Sequence, residues 1–198
     1  MKIIQADFIK GAAKPDSYPV TGLPEFAFFG RSNAGKSSLI NMIVNRKSLV
    51  KTGSRPGMTR IINFFRINDA FILADLPGYG YAQRSAEENR AFDRMLADYA
   101  QERKELKTLF FLMDMRRLPG DVERDTVEYF EKLGIEVVIV GTKADKLGSN
   151  EMRNTVKKWS AFFNRSPELI PVTSASKKTG RDQLLKLIGE RLWAPSVG

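Results

Sequence analysis

The stretch Phe26-Ala27-Phe28-Phe29-Gly30-Arg31-Ser32-Asn33-Ala34-Gly35-Lys36-Ser37-Ser38-Leu39-Ile40-Asn41-Met42-Ile43-Val44 sets how the rest of the chain is understood. Its first four residues make an apolar run of strand length, and SSLINMIV at its end reads as helix. Between them, Gly30 to Ser37 spells GRSNAGKS, which is G-x-x-x-x-G-K-[ST] in the strand–loop–helix setting that pattern requires. Glycine permits backbone conformations that turn successive N–H groups inward around phosphate oxygens. The following helix adds the positive end of its dipole. Arg31, Ser32, Asn33 and Ala34 then form the body of the cradle. Lys36 is placed to span the β- and γ-phosphates, and the Ser37 hydroxyl to ligate Mg²⁺. The stretch predicts a nucleoside triphosphate site.

Outward from this loop, apolar runs of strand length alternate with segments of helical period. The strand candidates are Ile3–Phe8, Phe26–Phe29, Ile61–Ile67, Ala70–Asp75, Thr108–Asp114, Val137–Gly141 and Leu169–Thr173. Several are continuously apolar, as strands covered on both faces should be. Asn68-Asp69 predicts a tight hairpin turn. Phe92, Met95, Leu96 and Tyr99 define one helix, opened by the capping box Ser85-Ala86-Glu87-Glu88. Val122, Thr126, Tyr129, Phe130 and Leu133 line a second; Met152, Val156, Trp159 and Phe163 a third; Leu184, Leu187, Ile188 and Leu192 a last one. The alternation predicts an α/β fold with a mostly parallel central sheet, helices on both faces and right-handed crossovers. Residues 1–22 are expected as an N-terminal strand extension packed on a domain spanning 23–195, with 196–198 a short tail.

Composition narrows the chemistry. The 198 residues include no cysteine and no histidine, which excludes disulfides, thiolate nucleophiles, Cys/His zinc sites and imidazole acid–base catalysis. No apolar run is long enough to span a membrane, and MKIIQADFIKGAAKPD lacks the apolar core and cleavage site of a secretory signal. A cytoplasmic monomer with no membrane partner is expected. Lys and Arg number 32 against 23 Asp and Glu, net +9, and the excess is uneven. Residues 26–68 carry eight basic side chains and no acidic one, 69–142 are net −5, and 143–198 are net +6. Such blocks either solubilise exposed helices or attract phosphate backbones.

Three further pieces address the base and the metal. Asp75-Leu76-Pro77-Gly78 closes a strand expected beside the phosphate loop. Asp75 would hold Mg²⁺ through water, and the Gly78 N–H would touch the γ-phosphate. Asp145-Lys146-Leu147-Gly148 also matches D-x-x-G, but does not follow that strand. Thr142-Lys143-Ala144-Asp145 ends another strand, where a carboxylate can accept both N1–H and the exocyclic amine of guanine. Adenine offers neither, and a site built on such bonds rejects the wrong analogue strongly. Thr173-Ser174-Ala175 would place a backbone N–H on the guanine O6. All lie where ligands bind in open α/β sheets, at the carboxyl ends of strands.

Together GRSNAGKSSLIN, SRPGMTRIINFF, DLPGYGYA, MDMR, GTKADK and SASKKTG resemble the EngB-type ribosome-assembly GTPases, the YihA/YsxC group, over residues 3–193. The resemblance implies a single P-loop GTPase domain that binds GTP or GDP with Mg²⁺. It also implies association with the large ribosomal subunit or its precursor, through rRNA or ribosomal proteins, and a link to cell division and septation. Gly57, Met58, Thr59, Arg60 and Ile61 then form the first switch, with Thr59 closing on Mg²⁺ in the GTP state. Arg60 stands where the family is expected to carry Gln. Thr142 stands where many GTPases carry Asn, but T-K-x-D is the usual form in this family.

Hydrolysis would be in-line attack of water on the γ-phosphate, with Lys36, Thr59 and Asn33 as the catalytic candidates. Tyr79 occupies the position after D-x-x-G where many GTPases place a water-orienting Gln, and no histidine can replace it. Slow intrinsic turnover is expected. In loops resembling GR-x-NAGKS, Asn33 can help hold K⁺ beside the phosphates; alternatively it only suits a turn conformation. The basic first-switch segment is a candidate for nucleotide-gated rRNA binding. An ATP-using P-loop enzyme and a non-catalytic RNA-binding module are the competing readings.

Overall fold

The computed structural model describes residues 1–50, 61–80 and 85–193. The apolar strands do what period-two side chains on a doubly covered sheet must do: alternate residues feed opposite cores. In β2 (Glu25–Gly30) every residue is buried. Phe26 and Phe28 pack with Leu39, Ile40 and Ile43 of α1 (Lys36–Val44) and with Leu184, Leu185 and Ile188 of α5 (Arg181–Leu192). Ala27 and Phe29 face the other way. There they meet Met95 and Tyr99 of α2 (Ala86–Glu102), Val127 and Phe130 of α3 (Asp121–Lys132) and Trp159 of α4 (Ser149–Phe163). Helices therefore cover both faces of one sheet.

That sheet has the order β1-β3-β4-β2-β5-β6, the remaining strands being β1 (Ala6–Ala12), β3 (Ile62–Ile67), β4 (Phe71–Asp75), β5 (Leu106–Asp114) and β6 (Glu136–Thr142). The pairs β4/β2, β2/β5 and β5/β6 are parallel, and β1/β3 and β3/β4 antiparallel. The α/β sheet read from the alternation is present, with an antiparallel edge. The four parallel strands end at Gly30, Asp75, Asp114 and Thr142, so the loops that carry chemistry leave from one edge.

Asn68 and Asp69 make the expected turn with φ 51° each, the left-handed conformation a two-residue hairpin needs. The Asn68 side chain also accepts from the Ile4 and Gln5 N–H groups at 2.8 and 3.0 Å. That capture is why the first strand forms downstream of the expected Ile3–Phe8, at Ala6–Ala12 opposite β3. The capping box opening α2 is present: Ser85 Oγ accepts from Glu88 N–H and Glu88 from Ser85 N–H.

Two expectations are corrected. Leu169–Thr173 does not form a strand: Pro167–Leu169 is a 3₁₀ turn, and Val172 makes one isolated bridge to Gly141. Pro171 has no N–H to continue a ladder. The stripe expected on α3 is rotated: Val127 and Phe130 are buried, whereas Val122 is 57% exposed. No helix among the described residues is long and apolar enough to cross a membrane.

Candidate nucleotide-binding site

The phosphate loop is held by close backbone approaches. A Cβ on Gly30 would lie 2.4 Å from the Leu112 carbonyl oxygen, so only glycine lets β2 pass β5 there. Gly35 has φ 93° and starts α1, whose first long bond is Leu39 N–H to Gly35 O at 2.9 Å. Asn33 is also left-handed, at φ 64°, so the turn reading of that residue is met. The expected Lys36 and Ser37 open α1, and the Lys36 ammonium is ion-paired with the Asp75 carboxylate at the end of β4. Ser37 and Asp75 thus bring hydroxyl and carboxylate oxygens to one loop edge. No group of three or more Asp or Glu able to cage a metal occurs among the described residues. This donor set fits Mg²⁺, which keeps several waters and takes phosphate oxygens to complete its shell.

The Asp75–Gly78 segment lies directly against the loop. Leu76 N–H donates to Phe28 O at 3.1 Å, Ser32 N–H to Tyr79 O at 2.8 Å, and Tyr79 N–H to Gly30 O at 3.3 Å. A Cβ on Gly78 would come within 3.0 Å of Ser32 N and Cα. Pro77 spaces the two contacts, and the sequence pairing of Asp75 with the phosphate loop is realised.

The pieces expected to read the base lie together. Thr142, buried at the end of β6, donates its hydroxyl to Ala34 O at 2.6 Å, with Met113 O 3.0 Å away. A threonine here ties the strand to the phosphate loop. Lys143, at φ 57°, lays its stem beside Gly35 and donates to Asn33 O at 2.5 Å. Ala144 N–H donates to Thr173 O at 3.1 Å, and Thr173 N–H to Gly141 O at 2.7 Å. Those bonds bring the 142–145 and 173–175 loops together. The Asp145 carboxylate accepts from Ser174 Oγ at 2.5 Å. The Ser174 hydroxyl, with Ser176 behind it, holds the Asp145 carboxyl below the usual carboxylate range, so it is ionised and aimed. Ala175 continues the turn, closed by Ser174 N–H to Thr179 O at 3.2 Å and its reciprocal at 3.0 Å.

Of the first switch, Gly57, Met58, Thr59 and Arg60 lie outside the described residues, as does Arg55. Ile61 is described; its side chain lies over Gly11, at the start of β3.

Three participants are not among the expected site residues. Asp114, last residue of β5, accepts from Lys143 Nζ at 3.0 Å and from Arg116 Nε at 2.9 Å. Burial alone would raise its carboxyl, but Arg116 and Lys143 hold it well below the usual range. Asp114 therefore fixes the lysine that crosses the phosphate loop, and its sequence signals are an acid closing an apolar strand and its place in MDMR. Ser176 supports Ser174, with their Oγ atoms 3.0 Å apart. Glu123 accepts from the Tyr79 hydroxyl at 2.6 Å. Burial and that carboxylate push the Tyr79 phenol far up, so it stays neutral, with its hydroxyl committed to Glu123. A cavity of about 690 Å³ beside the loop is lined by Arg31, Asn33, Tyr79, Asp114, Glu123 and Lys143.

Comparison with known proteins agrees with this geometry. The family described as 50S ribosome-binding GTPase matches residues 25–143. A probable GTP-binding protein EngB of Treponema denticola is 54% identical, over 97% of this chain and 100% of its own. A crystallised probable GTP-binding protein EngB superposes with TM-score 0.70 at 22% identity, over 85% of this chain and 98% of that one, which shows a shared fold. NFeoB from S. thermophilus, bound to GDP·AlF4⁻ and K⁺, superposes with TM-score 0.61 at 27% identity, over 85% of this chain and 62% of that one. With its phosphate loop, the 142–145 and 173–175 loops joined beside it, and a relative matched over 97% of this chain and 100% of its own, the chain belongs to the EngB family of GTP-binding proteins.

Proposed function

We propose that this protein is a GTP-hydrolysing switch, a cytoplasmic monomer that engages the large ribosomal subunit or its precursor according to the bound nucleotide and supports cell division and septation. The observation that carries the guanine part is Asp145 held ionised by Ser174 in a loop locked to Thr173. The ribosomal part is supported by the description of the matched family and by the carboxylate-free basic block at 26–68, suited to rRNA phosphates.

In this reading the loop N–H groups and Lys36 bind the phosphates, and Asp75 and Gly78 sense the third one. Mg²⁺, when bound, supplies charge neutralisation on the β- and γ-oxygens. The water that attacks in line gets no help from Tyr79, whose hydroxyl is committed to Glu123. Turnover without a partner is therefore slow. We further propose that K⁺, present in the NFeoB structure, is held here beside Asn33 and stands in for an arginine finger.

Two measurements test this. Hydrolysis in KCl should exceed that in NaCl by about tenfold or more, with Asn33→Ala abolishing the difference; equal rates in both salts sink the potassium role. Co-sedimentation with large-subunit precursors should be stronger with a non-hydrolysable GTP analogue than with GDP, and should weaken as salt rises. Identical binding with either nucleotide would contradict gating.

A further inference from the structure

Tyr79 follows directly on Gly78, the expected γ-phosphate contact, yet its ring is packed inward against Phe29 and Phe111, with centroids at 5.4 and 6.1 Å. Its backbone is stitched to the phosphate loop on both sides, through Ser32 N–H to Tyr79 O and Tyr79 N–H to Gly30 O. Whatever fixes Tyr79 therefore fixes Gly78 against Ser32, where there is no room for even a Cβ.

The hydroxyl meets Glu123 on the first turn of α3. One carboxylate oxygen of Glu123 accepts from Tyr79 Oη at 2.6 Å, and the other from Gly120 N–H at 2.8 Å. The carboxylate is thus immobilised at both ends: one oxygen caps the helix entry, and the other anchors the segment after β4. A phenylalanine would pack against Phe29 and Phe111 equally well. The hydroxyl adds a charge-assisted bond between the segment after β4 and the first turn of α3.

We propose that Glu123 is a positioning residue for discrimination of the third phosphate. It holds Tyr79, and through the Tyr79 backbone it keeps Gly78 pre-set against the phosphate loop. Without the tether, binding GTP must order the Asp75–Gly78 segment at the expense of affinity, whereas GDP, which has no third phosphate, makes no such demand. This rests on the GTP reading above. It also explains why the position after D-x-x-G carries a residue that cannot orient water: here that residue serves as a dowel.

The test is equilibrium titration of the full chain, with Mg²⁺, against GDP and a non-hydrolysable GTP analogue, alongside thermal melting. Glu123→Ala and Tyr79→Phe should each weaken the analogue about tenfold and GDP by less than about twofold, and the double variant should be no worse than either single one. Glu123→Gln should largely restore discrimination, because its amide can accept from Gly120 N–H and donate to the Tyr79 oxygen. A purely structural role would lower melting and both affinities together, so equal losses, an unchanged ratio or additive double losses overturn the proposal. Should Glu123→Ala not fold, Tyr79→Phe and Glu123→Gln carry the same comparison. A wild-type protein that binds neither nucleotide would instead overturn the GTP reading itself.

Discussion

Asp145→Asn should lower the affinity for GDP and GTP by about a thousandfold while leaving the fold intact. In the proposed reading the carboxylate accepts two hydrogen bonds from the guanine edge, and charge-assisted bonds of this kind are each good for about one to two decades of affinity. Losing their ionic character, with one bond replaced by a donor facing a donor, amounts to about three decades. The loop itself should survive, because the Asn oxygen can still accept from Ser174 Oγ, the bond that orients Asp145. The same donor should welcome xanthine, which presents a carbonyl where guanine has its amine. Calorimetric titration with GDP, ADP and xanthosine diphosphate checks all three. Unchanged GDP affinity, or ADP bound as tightly as GDP by the wild type, would remove Asp145 from base recognition and revive the adenine reading.

Arg103→Ala should be the most destabilising single substitution away from the nucleotide. Arg103 is the residue that ends α2, and it donates through Nε at 3.0 Å and Nη2 at 2.8 Å to Glu25, which is 0% exposed at the start of β2. Nη2 also donates to Pro19 O at 3.0 Å, and the guanidinium packs 5.5 Å from the Phe64 ring centre. Among the described residues, truncation leaves a buried carboxylate with only the Tyr99 hydroxyl for support. Breaking such a pair by removing one partner costs about 3–5 kcal/mol, which in a domain of this size lowers Tm by roughly 10 °C.

The pH dependence identifies the cause. Burial already pushes the Glu25 carboxyl up, opposed chiefly by Arg103. With Arg103 gone, Glu25 takes up a proton in the folded protein at higher pH than in the unfolded chain. That variant's deficit should then be smaller at pH 5 than at pH 8, since stability from a raised carboxyl is lost as pH rises. A deficit equal at both pH values would point to lost packing instead. Replacing both partners, as Glu25→Met with Arg103→Met, should cost far less than either single change, because no charge is left unpaired.

Much of this protein is legible in local sequence because its signals are local. GRSNAGKS needs only glycine's conformational freedom and the helix that follows, and the structure places Gly30, Gly35 and Lys36 accordingly. The Ser85 capping box and the Asn68-Asp69 turn likewise depend on neighbours a few residues away. The exact strands at the chain's margins do not. The N-terminal strand follows the Asn68 side chain and the length of β3 rather than its own apolar run. The 169–173 run, apolar as it is, is held to a single bridge at Val172, because Pro171 just before it has no N–H to extend the ladder.

Residue order alone was enough for the α/β fold, the phosphate loop, the succession of the site pieces and the singling out of Asp145 as the candidate base reader. Each of these follows from periodicity or from fixed spacing along the backbone. Which side chains hold those pieces in place became visible only in three dimensions. Ser174 on Asp145 spans 29 positions of the chain, Glu123 on Tyr79 spans 44, and Arg103 on Glu25 spans 78. Asp114 on Lys143 likewise joins the ends of two neighbouring strands. Such pairs have no characteristic spacing, because strand order and helix packing, rather than the backbone between the partners, bring the two polar groups within hydrogen-bond reach.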